Sequence, residues 1–266
     1  PLERLENQLA AREAALQDAR RSALRRWYVN SQGQTMAVIE NMPEDGDRGI
    51  TYSFAICDHE VTLAEFRRFR GNPPRPNDTR KIDCPANAIN WYAAAEYCNW
   101  LSKRDGIPED QWIYAPNADG NYREGMRIKD NFIELAGYRL PTSAEWVHAC
   151  RAETNTTYSF GEPIELVNRY GFSATNSFSR SHPVQSLLPN DAGLFDMHGN
   201  VQEWTMDAAS GPLSPVTNAD ARMVHSPEYT QQPDQLRTDN SFGIPPQYTS
   251  YVSGFRPART FHPPSP

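Results

Sequence analysis

The first 26 residues repeat their hydrophobic positions every seven residues. One row of the repeat is apolar throughout and consists of Leu2, Leu9, Leu16 and Ala23. The facing row is interrupted by two arginines, which weakens it as a dimer seam. The spacing predicts a helix up to about Leu24, within an N-terminal segment of residues 1–27. Two interpretations remain open: a linker helix from a preceding module, and a short oligomerising coiled coil.

After Trp27 the pattern changes to short hydrophobic runs separated by turns. Residues 34–39 and 52–57 are predicted strands on either side of an acidic turn. Residues 112–114 are predicted as one arm of a hairpin. From Thr154 onward the pattern indicates loops and short strands only. Such a chain is typical of a mixed fold rather than a helical bundle.

Three helices are marked by residues that cap their first turns. Thr62 with Glu65, and Thr142 with Glu145, match the capping box, in which a hydroxyl and a carboxylate satisfy exposed backbone N–H groups. Asn90 is predicted to cap a helix over residues 91–102. All three helices carry aromatic, alanine or cysteine side chains on one face, which predicts that this face is buried.

Composition and charge argue against a nucleic-acid partner and against a membrane span. The 22 prolines and 15 glycines indicate many turns. The net charge of −7 divides into +2 for residues 1–26 and −9 for the remainder, and an acidic body repels phosphate backbones. Nucleic acid is therefore not expected as a partner. Because no apolar run approaches about 18 residues, no membrane span is expected.

The four cysteines, Cys57, Cys84, Cys98 and Cys150, show none of the CxxC spacings of zinc sites. Two of them fall on apolar helix faces, where a thiol behaves as a small hydrophobic group. Buried structural thiols are therefore predicted. The chain begins at Pro1 without a signal peptide, so we expect a piece of a longer protein. Its compartment is undetermined, and the cytoplasm is favoured.

Five strings in order carry a family resemblance. The two longest are GYRLPTSAEW at residues 137–146 and NDAGLFDMHGNVQEW at 190–204, and GFR at 254–256 closes the series. Together they resemble the formylglycine-generating enzyme family, also called the sulfatase-modifying-factor domain. The resemblance implies an α+β, C-type lectin-like fold for residues 28–266, with a small twisted antiparallel sheet, two or three helices and long loops.

The same resemblance implies a chemistry that this chain does not match. Formylglycine generation implies oxygen-dependent oxidation of a substrate cysteine at a copper(I) site made by two thiolates near the C-terminus. Residues 151–266 contain no cysteine. The sulfoxide synthases of the family imply a histidine-rich iron site, and the six histidines show no HxxxHxE arrangement. No catalytic residue is therefore predicted.

Asn200 and Glu203 are the candidate metal ligands. Family members hold calcium near the GNVQEW string with Asn and Glu side chains and backbone carbonyls, and oxygen ligands suit that ion. The resemblance thus implies a structural calcium here. The alternative is that both side chains satisfy buried backbone groups of the loop.

The C-terminal segment has the composition of a binding surface. Of the 28 residues in 226–253, 21 are Ser, Thr, Gln, Asn, Asp, Pro or Tyr, a mixture found in antibody binding loops. Variable proteins of diversity-generating retroelements use a similar frame, with the mutagenised positions just before a GFR-like string. The predicted ligand-binding residues are Tyr229, Asp239, Asn240, Phe242, Tyr248 and Tyr251, with Trp204 as a neighbour.

These observations favour a non-catalytic binding domain whose partner is a protein. Two alternatives are kept. The first is a sulfatase-modifying-factor-type oxidoreductase or maturation enzyme that uses unfamiliar residues. The second is a regulatory module joined through the N-terminal helix to a kinase or protease effector.

Overall fold

The computed structural model describes residues 26–40, 50–71 and 81–262. The predicted N-terminal helix, up to about Leu24, lies outside the described residues, which include only the last two positions of the segment 1–27. Trp27 begins the first strand, β1 (Trp27–Val29), which pairs in antiparallel fashion with β2. The strand β1 thus spans the predicted boundary between residues 27 and 28.

The first sheet brings the two ends of the domain together. Its four antiparallel strands lie in the order β1-β2-β3-β10. The strands β2, β3 and β10 are Thr35–Ile39, Phe54–Cys57 and Ala258–Thr260, respectively. Ala258 lies opposite Ile56, so the last strand is paired with the third. The two predicted strands, 34–39 and 52–57, are confirmed.

The second sheet consists almost entirely of the C-terminal part of the chain. Its order is β8-β7-β6-β9, and the strands are β6 (Gln202–Ala208), β7 (Arg222–His225), β8 (Ser241–Ile244) and β9 (Ser253–Gly254). β9 runs parallel to β6, whereas the other pairs are antiparallel. A separate hairpin joins β4 (Tyr114–Ala115) to β5 (Arg127–Ile128).

Two elements of the C-terminal part differ from the prediction of loops and short strands. β6 has seven residues, of which the first five are buried. It lies between two other strands and is covered on both faces, so its sequence lacks the alternation that marks a half-exposed strand. A short helix, α4 (Val167–Tyr170), was also not predicted.

The three predicted helices are present with their caps. They are α1 (Leu63–Arg70), α2 (Trp91–Arg104) and α3 (Ser143–Arg151). Both capping boxes are complete, with the threonine hydroxyl accepting from the N3 backbone and the N3 glutamate accepting from the cap backbone. The Asn90 side chain accepts from the backbone N–H of Ala93 at 2.9 Å.

Two tryptophans fix the start of α2 against β6. The indole N–H of Trp91 donates to the carbonyl of Thr205, and that of Trp204 donates to the carbonyl of Ile89, each at 2.8 Å. Both rings are fully buried. Since a buried indole N–H needs a partner, these bonds set the position of the loop before α2 relative to the second sheet.

The architecture is α+β with a lectin-like arrangement of small sheets and long connections, which confirms the predicted fold class. Across the described residues, no helix has both the length and the apolar character that a membrane crossing requires.

Candidate functional site

The loop over residues 245–252, between β8 and β9, is fastened at both ends to the core. Near its start, the Pro246 carbonyl accepts from the backbone N–H of Trp91 at 3.1 Å. Near its end, the Val252 carbonyl accepts from the backbone of Gln202 at 2.6 Å, and Ser250 accepts from Ala88 at 2.9 Å. The loop backbone is therefore held by the start of α2 and by β6, whereas Gln247, Tyr248, Thr249 and Tyr251 are exposed.

Three aromatic side chains in or beside this loop are exposed. Phe242 on the edge strand β8, Tyr248 and Tyr251 have 46%, 52% and 41% of their surfaces accessible. We call these three residues the C-terminal aromatic surface. Large aromatic side chains on a backbone held by hydrogen bonds lose little conformational entropy when a ligand binds. The structure thus places these three predicted residues where a partner can reach them.

Asp239 and Asn240 precede the aromatic surface. Asp239 is exposed and forms an ion pair with Arg237, with 3.1 Å between Nε and Oδ1. The hydrogen bond from Arg237 lowers the pKa of Asp239 below its ordinary value. Asn240 is half-buried and donates to the Gln235 carbonyl at 2.8 Å. Both positions are accessible in part, and their polar groups are engaged with neighbours in the chain.

Tyr229 and Trp204 do not belong to the accessible surface. Trp204 has no exposed area, because its ring lies in the main core and its N–H donates to Ile89. Tyr229 is 7% exposed, and its backbone N–H donates to the Asn200 carbonyl. Composition identified Tyr229, and the family string ending at Trp204 identified that residue, but the direction of each side chain depends on tertiary packing. As contact residues, both predictions are corrected by the structure.

Glu203 was predicted as a calcium ligand, and its carboxylate is occupied by protein groups. Arg256 donates to both of its oxygens at 2.7 Å, and the indole N–H of Trp146 donates to one of them at 2.8 Å. All atoms of the Arg256–Glu203 side-chain pair are buried. A guanidinium already neutralises this carboxylate, so the arrangement does not fit a cation at Glu203.

Asn200 is occupied in a similar way. Its side-chain oxygen accepts from the backbone N–H of His182 at 2.9 Å, and its amide nitrogen donates to Glu60 at 2.7 Å. Burial and the neighbouring carboxylates raise the pKa of Glu60 well above its ordinary value. Asn200 therefore joins three parts of the chain, and both polar atoms of its side chain have protein partners.

The four cysteines all lie among the described residues, are buried and form no disulfide. Burial raises the pKa of Cys84 to about 11 and raises the pKa values of Cys98 and Cys150 further. Since the thiolate is the form that binds copper and attacks substrates, these three thiols are unsuited to such chemistry. The C-terminal region that would have to supply the thiolate pair contains no cysteine.

One exposed aromatic residue was missed. Phe178 is 83% exposed, the largest value among the large hydrophobic residues of the described chain. It and Ser179 both have φ near +55°, a conformation that is uncommon outside glycine and asparagine. Their loop is held by Ser177, whose hydroxyl donates to the Tyr229 carbonyl at 2.8 Å. No sequence pattern marks such a residue, because its backbone conformation is set by these contacts.

Comparison with known proteins identifies the frame. The family model described as "Sulfatase-modifying factor enzyme 1-like domain" matches residues 34–261, which is most of the chain. The chain belongs to this family. The formylglycine-generating-enzyme strings at 137–146 and 190–204 lie within the matched range, so the predicted membership is confirmed.

Three known proteins are similar to this chain. The chaperone protein LppX of Paenibacillus barcinonensis is 30% identical over 191 residues, which cover 64% of this chain and 68% of LppX. The formylglycine-generating enzyme of Mycobacterium tuberculosis is 37% identical over 188 residues, covering 58% of this chain and 63% of that enzyme. The solved structure of Treponema denticola variable protein 1 superposes with a TM-score of 0.71 at 24% identity, covering 85% of this chain and 95% of that one.

The sequence matches and the structural match support different conclusions. The chain spans about two thirds of the length of the two sequence relatives. At 24% identity the variable protein shares the fold. The comparisons thus establish a formylglycine-generating-enzyme-type, C-type lectin-like scaffold. Proteins with different names share this scaffold.

Proposed function

We propose that this domain is a non-catalytic recognition module that binds a protein partner through the C-terminal aromatic surface. Phe242, Tyr248 and Tyr251 supply the contact area. Asp239 and Asn240 contribute polar contacts at its margin. The observation that carries the proposal is the exposure of three aromatic side chains in or beside a loop whose backbone is bonded to the core at both ends.

Rigidity distinguishes this loop from an ordinary proline-rich connection. The carbonyls of Pro246, Ser250 and Val252 all accept backbone hydrogen bonds from the core. Exposed aromatic side chains on such a backbone are arranged before binding, so little ordering free energy is lost in the complex. Tyrosine combines apolar area with a polar hydroxyl, and it is enriched at protein interfaces for this reason.

The chemistry of the C-terminal region supports binding rather than oxidation. Family enzymes of the formylglycine type need a thiolate pair there, and this chain has polar, aromatic and proline residues instead. Treponema denticola variable protein 1, a protein of a different name with the same fold, supports the idea that the frame serves more than one role. A diversified C-terminal segment is part of this proposal and predicts an adenine-differing repeat of its coding sequence near the gene.

The binding surface is tested with a double variant and a matched control. Tyr248→Ala with Tyr251→Ala removes two exposed rings and leaves the core unchanged, so we expect the melting temperature to stay within about 2 °C. Ile133→Ala removes a 38% exposed side chain elsewhere. A partner purified on the wild-type protein should bind the Ile133 variant normally and lose at least tenfold in affinity for the double variant. Equal affinity for all three proteins would refute the assigned surface.

The enzymatic alternative is tested separately. The purified chain is incubated with copper(I), oxygen and a cysteine-containing peptide, and oxygen consumption and peptide mass are followed. No turnover is expected, because residues 151–266 offer no thiolate pair. Oxidation of the peptide thiol above the rate without protein would contradict the non-catalytic assignment.

A further inference from the structure

A second group of side chains with metal-binding chemistry lies away from the C-terminal aromatic surface. Cys57 ends β3, and Asp58 and His59 follow it directly. The thiol sulfur, one Asp58 oxygen and one imidazole nitrogen lie within 4.8 Å of one another, and Cys57 Sγ is 3.9 Å from His59 Nδ1. All three residues are buried.

These separations suit one small cation. Zinc binds sulfur at about 2.3 Å and nitrogen or oxygen at about 2.0 Å, so tetrahedral ligand atoms lie roughly 3.4–3.6 Å apart. In the structure His59 Nδ1 forms a close hydrogen bond with Asp58, and Cys57 lies slightly beyond the ideal separation. Small shifts of the two side chains, with loss of that hydrogen bond, would complete three ligands around one ion.

The other side of the imidazole is already arranged as in a metal site. His59 Nε2 lies 3.4 Å from Oε1 of Glu65 in α1. Histidines that bind a metal through one nitrogen usually donate the other N–H to a carboxylate, which fixes the ring and its tautomer. Glu65 is itself immobilised, because its second oxygen accepts from the backbone and hydroxyl of Thr62 at 2.7 and 2.8 Å.

Access and charge are consistent with an ion at this place. Asp58 lines a cavity of about 830 Å³, whose wall also includes His148, Glu153 and Asp191. Asp58 is the one proposed ligand that lines this cavity, so a cation would enter past Asp58, and a water molecule beside it would supply the fourth ligand. One thiolate and one carboxylate offset the two positive charges of the ion, and the Glu65 carboxylate behind the imidazole adds one further negative charge.

We propose that Cys57, Asp58 and His59 bind one divalent cation of the zinc class. Glu65 positions the imidazole, and the cavity beside Asp58 provides the open coordination position. The ion would hold the turn that follows β3, and Glu65 of α1 would hold the imidazole. This site is independent of the C-terminal aromatic surface.

The test uses the full chain, freed of metal by a chelator and titrated with Co(II). One equivalent should bind and give a thiolate-to-cobalt charge-transfer band in the near ultraviolet, which Zn(II) then removes by displacement. Cys57→Ala should abolish the band. Cys98→Ala is the matched control, since Cys98 is equally buried and belongs to no metal-ligand cluster of the described residues. Its band should persist.

Three results would overturn the proposal: absence of Co(II) binding to the wild-type chain, a band that survives in Cys57→Ala, or a band lost in Cys98→Ala. X-ray absorption on the Zn(II)-loaded wild-type chain needs no variant and remains decisive if Cys57→Ala fails to fold. We expect one sulfur in the zinc shell together with nitrogen and oxygen ligands. No sulfur, or two or more, would equally refute the site.

Discussion

His198 should make the fold sensitive to mild acid. The side chain is 1% exposed and both ring nitrogens are engaged: Nδ1 lies 2.8 Å from the Leu236 carbonyl, and Nε2 accepts the backbone N–H of Ser159 at 3.2 Å. A backbone N–H can only donate, so Nε2 must carry no proton and the ring must be neutral. Burial lowers the pKa of His198 to about 4, although the Leu236 carbonyl acts in the opposite direction.

The sign and size of the effect follow from this shift. Because the unfolded histidine has a pKa of about 6.5, the unfolded chain binds the proton more readily and stability falls as the pH drops from about 6.5 to about 4. The full difference between the pKa of His198 in the folded and in the unfolded chain corresponds to about 3 kcal/mol of folding free energy. Between pH 7 and pH 5 the His198 contribution to the free energy of unfolding should decrease by about 2 kcal/mol.

The assay is urea denaturation of the wild-type chain and of His198→Gln at pH 7 and pH 5. The His198→Gln variant lacks the hydrogen bonds of the imidazole and should be less stable at pH 7. On acidification its free energy of unfolding should fall by about 2 kcal/mol less than that of the wild type. Burial also lowers the pKa of His225 to about 4 and raises that of Asp196 to about 6. Both groups are present in the wild type and in the variant, so their contributions drop out when the two proteins are compared.

His262 provides the control. It is exposed near the end of the described chain, and His262→Gln should leave the pH dependence unchanged. If wild type and His198→Gln lose the same free energy between pH 7 and pH 5, the neutral buried imidazole is not the source of acid sensitivity. The hydrogen-bond argument for its tautomer would then be refuted.

Three further substitutions test the frame. Glu203→Gln leaves the Arg256 guanidinium buried beside a neutral amide and should lower the free energy of unfolding by about 3–5 kcal/mol, measured by urea denaturation; a loss below 1 kcal/mol would contradict a charge-paired site. Gly171→Ala would place a Cβ 1.7 Å from the His198 carbonyl oxygen, and we expect it to prevent folding or to cost more than about 4 kcal/mol. In Gly193→Ala the new Cβ meets no atom within 4 Å, and only the positive φ opposes it, so a loss of about 1–2 kcal/mol in thermal melts is expected. Equal losses for the two glycines would contradict the close backbone approach at Gly171.

The elements that sequence predicted well are those specified locally. Thr62, Asn90 and Thr142 each satisfy backbone groups within three residues, so their helices can be identified from a few letters. The second sheet could not be predicted in this way. The strand β6 is buried on both faces, and one of its two partners, β9, lies about 50 residues later, so neither alternation nor turn spacing marks it.

The candidate surface was also predicted only as far as local sequence specifies it. Composition indicated an aromatic, polar segment, and Phe242, Tyr248 and Tyr251 are exposed. It could not separate them from Tyr229, because the direction of a side chain in an irregular segment depends on which neighbours hold the backbone. Phe178 was missed for the same reason. Its left-handed backbone follows from contacts with a segment about 50 residues later.

The residues that identify the family are largely internal to the frame. Arg256 of the GFR string pairs with Glu203 of the GNVQEW string, and Arg139 pairs with Glu145 inside GYRLPTSAEW. All four of these side chains are fully buried, and their charges balance in pairs. Breaking either pair is expected to be costly, whereas the exposed positions of residues 226–253 can change with little effect on stability. Membership of the family therefore fixes the scaffold, and the function must be read from the side chains that the scaffold leaves in contact with solvent.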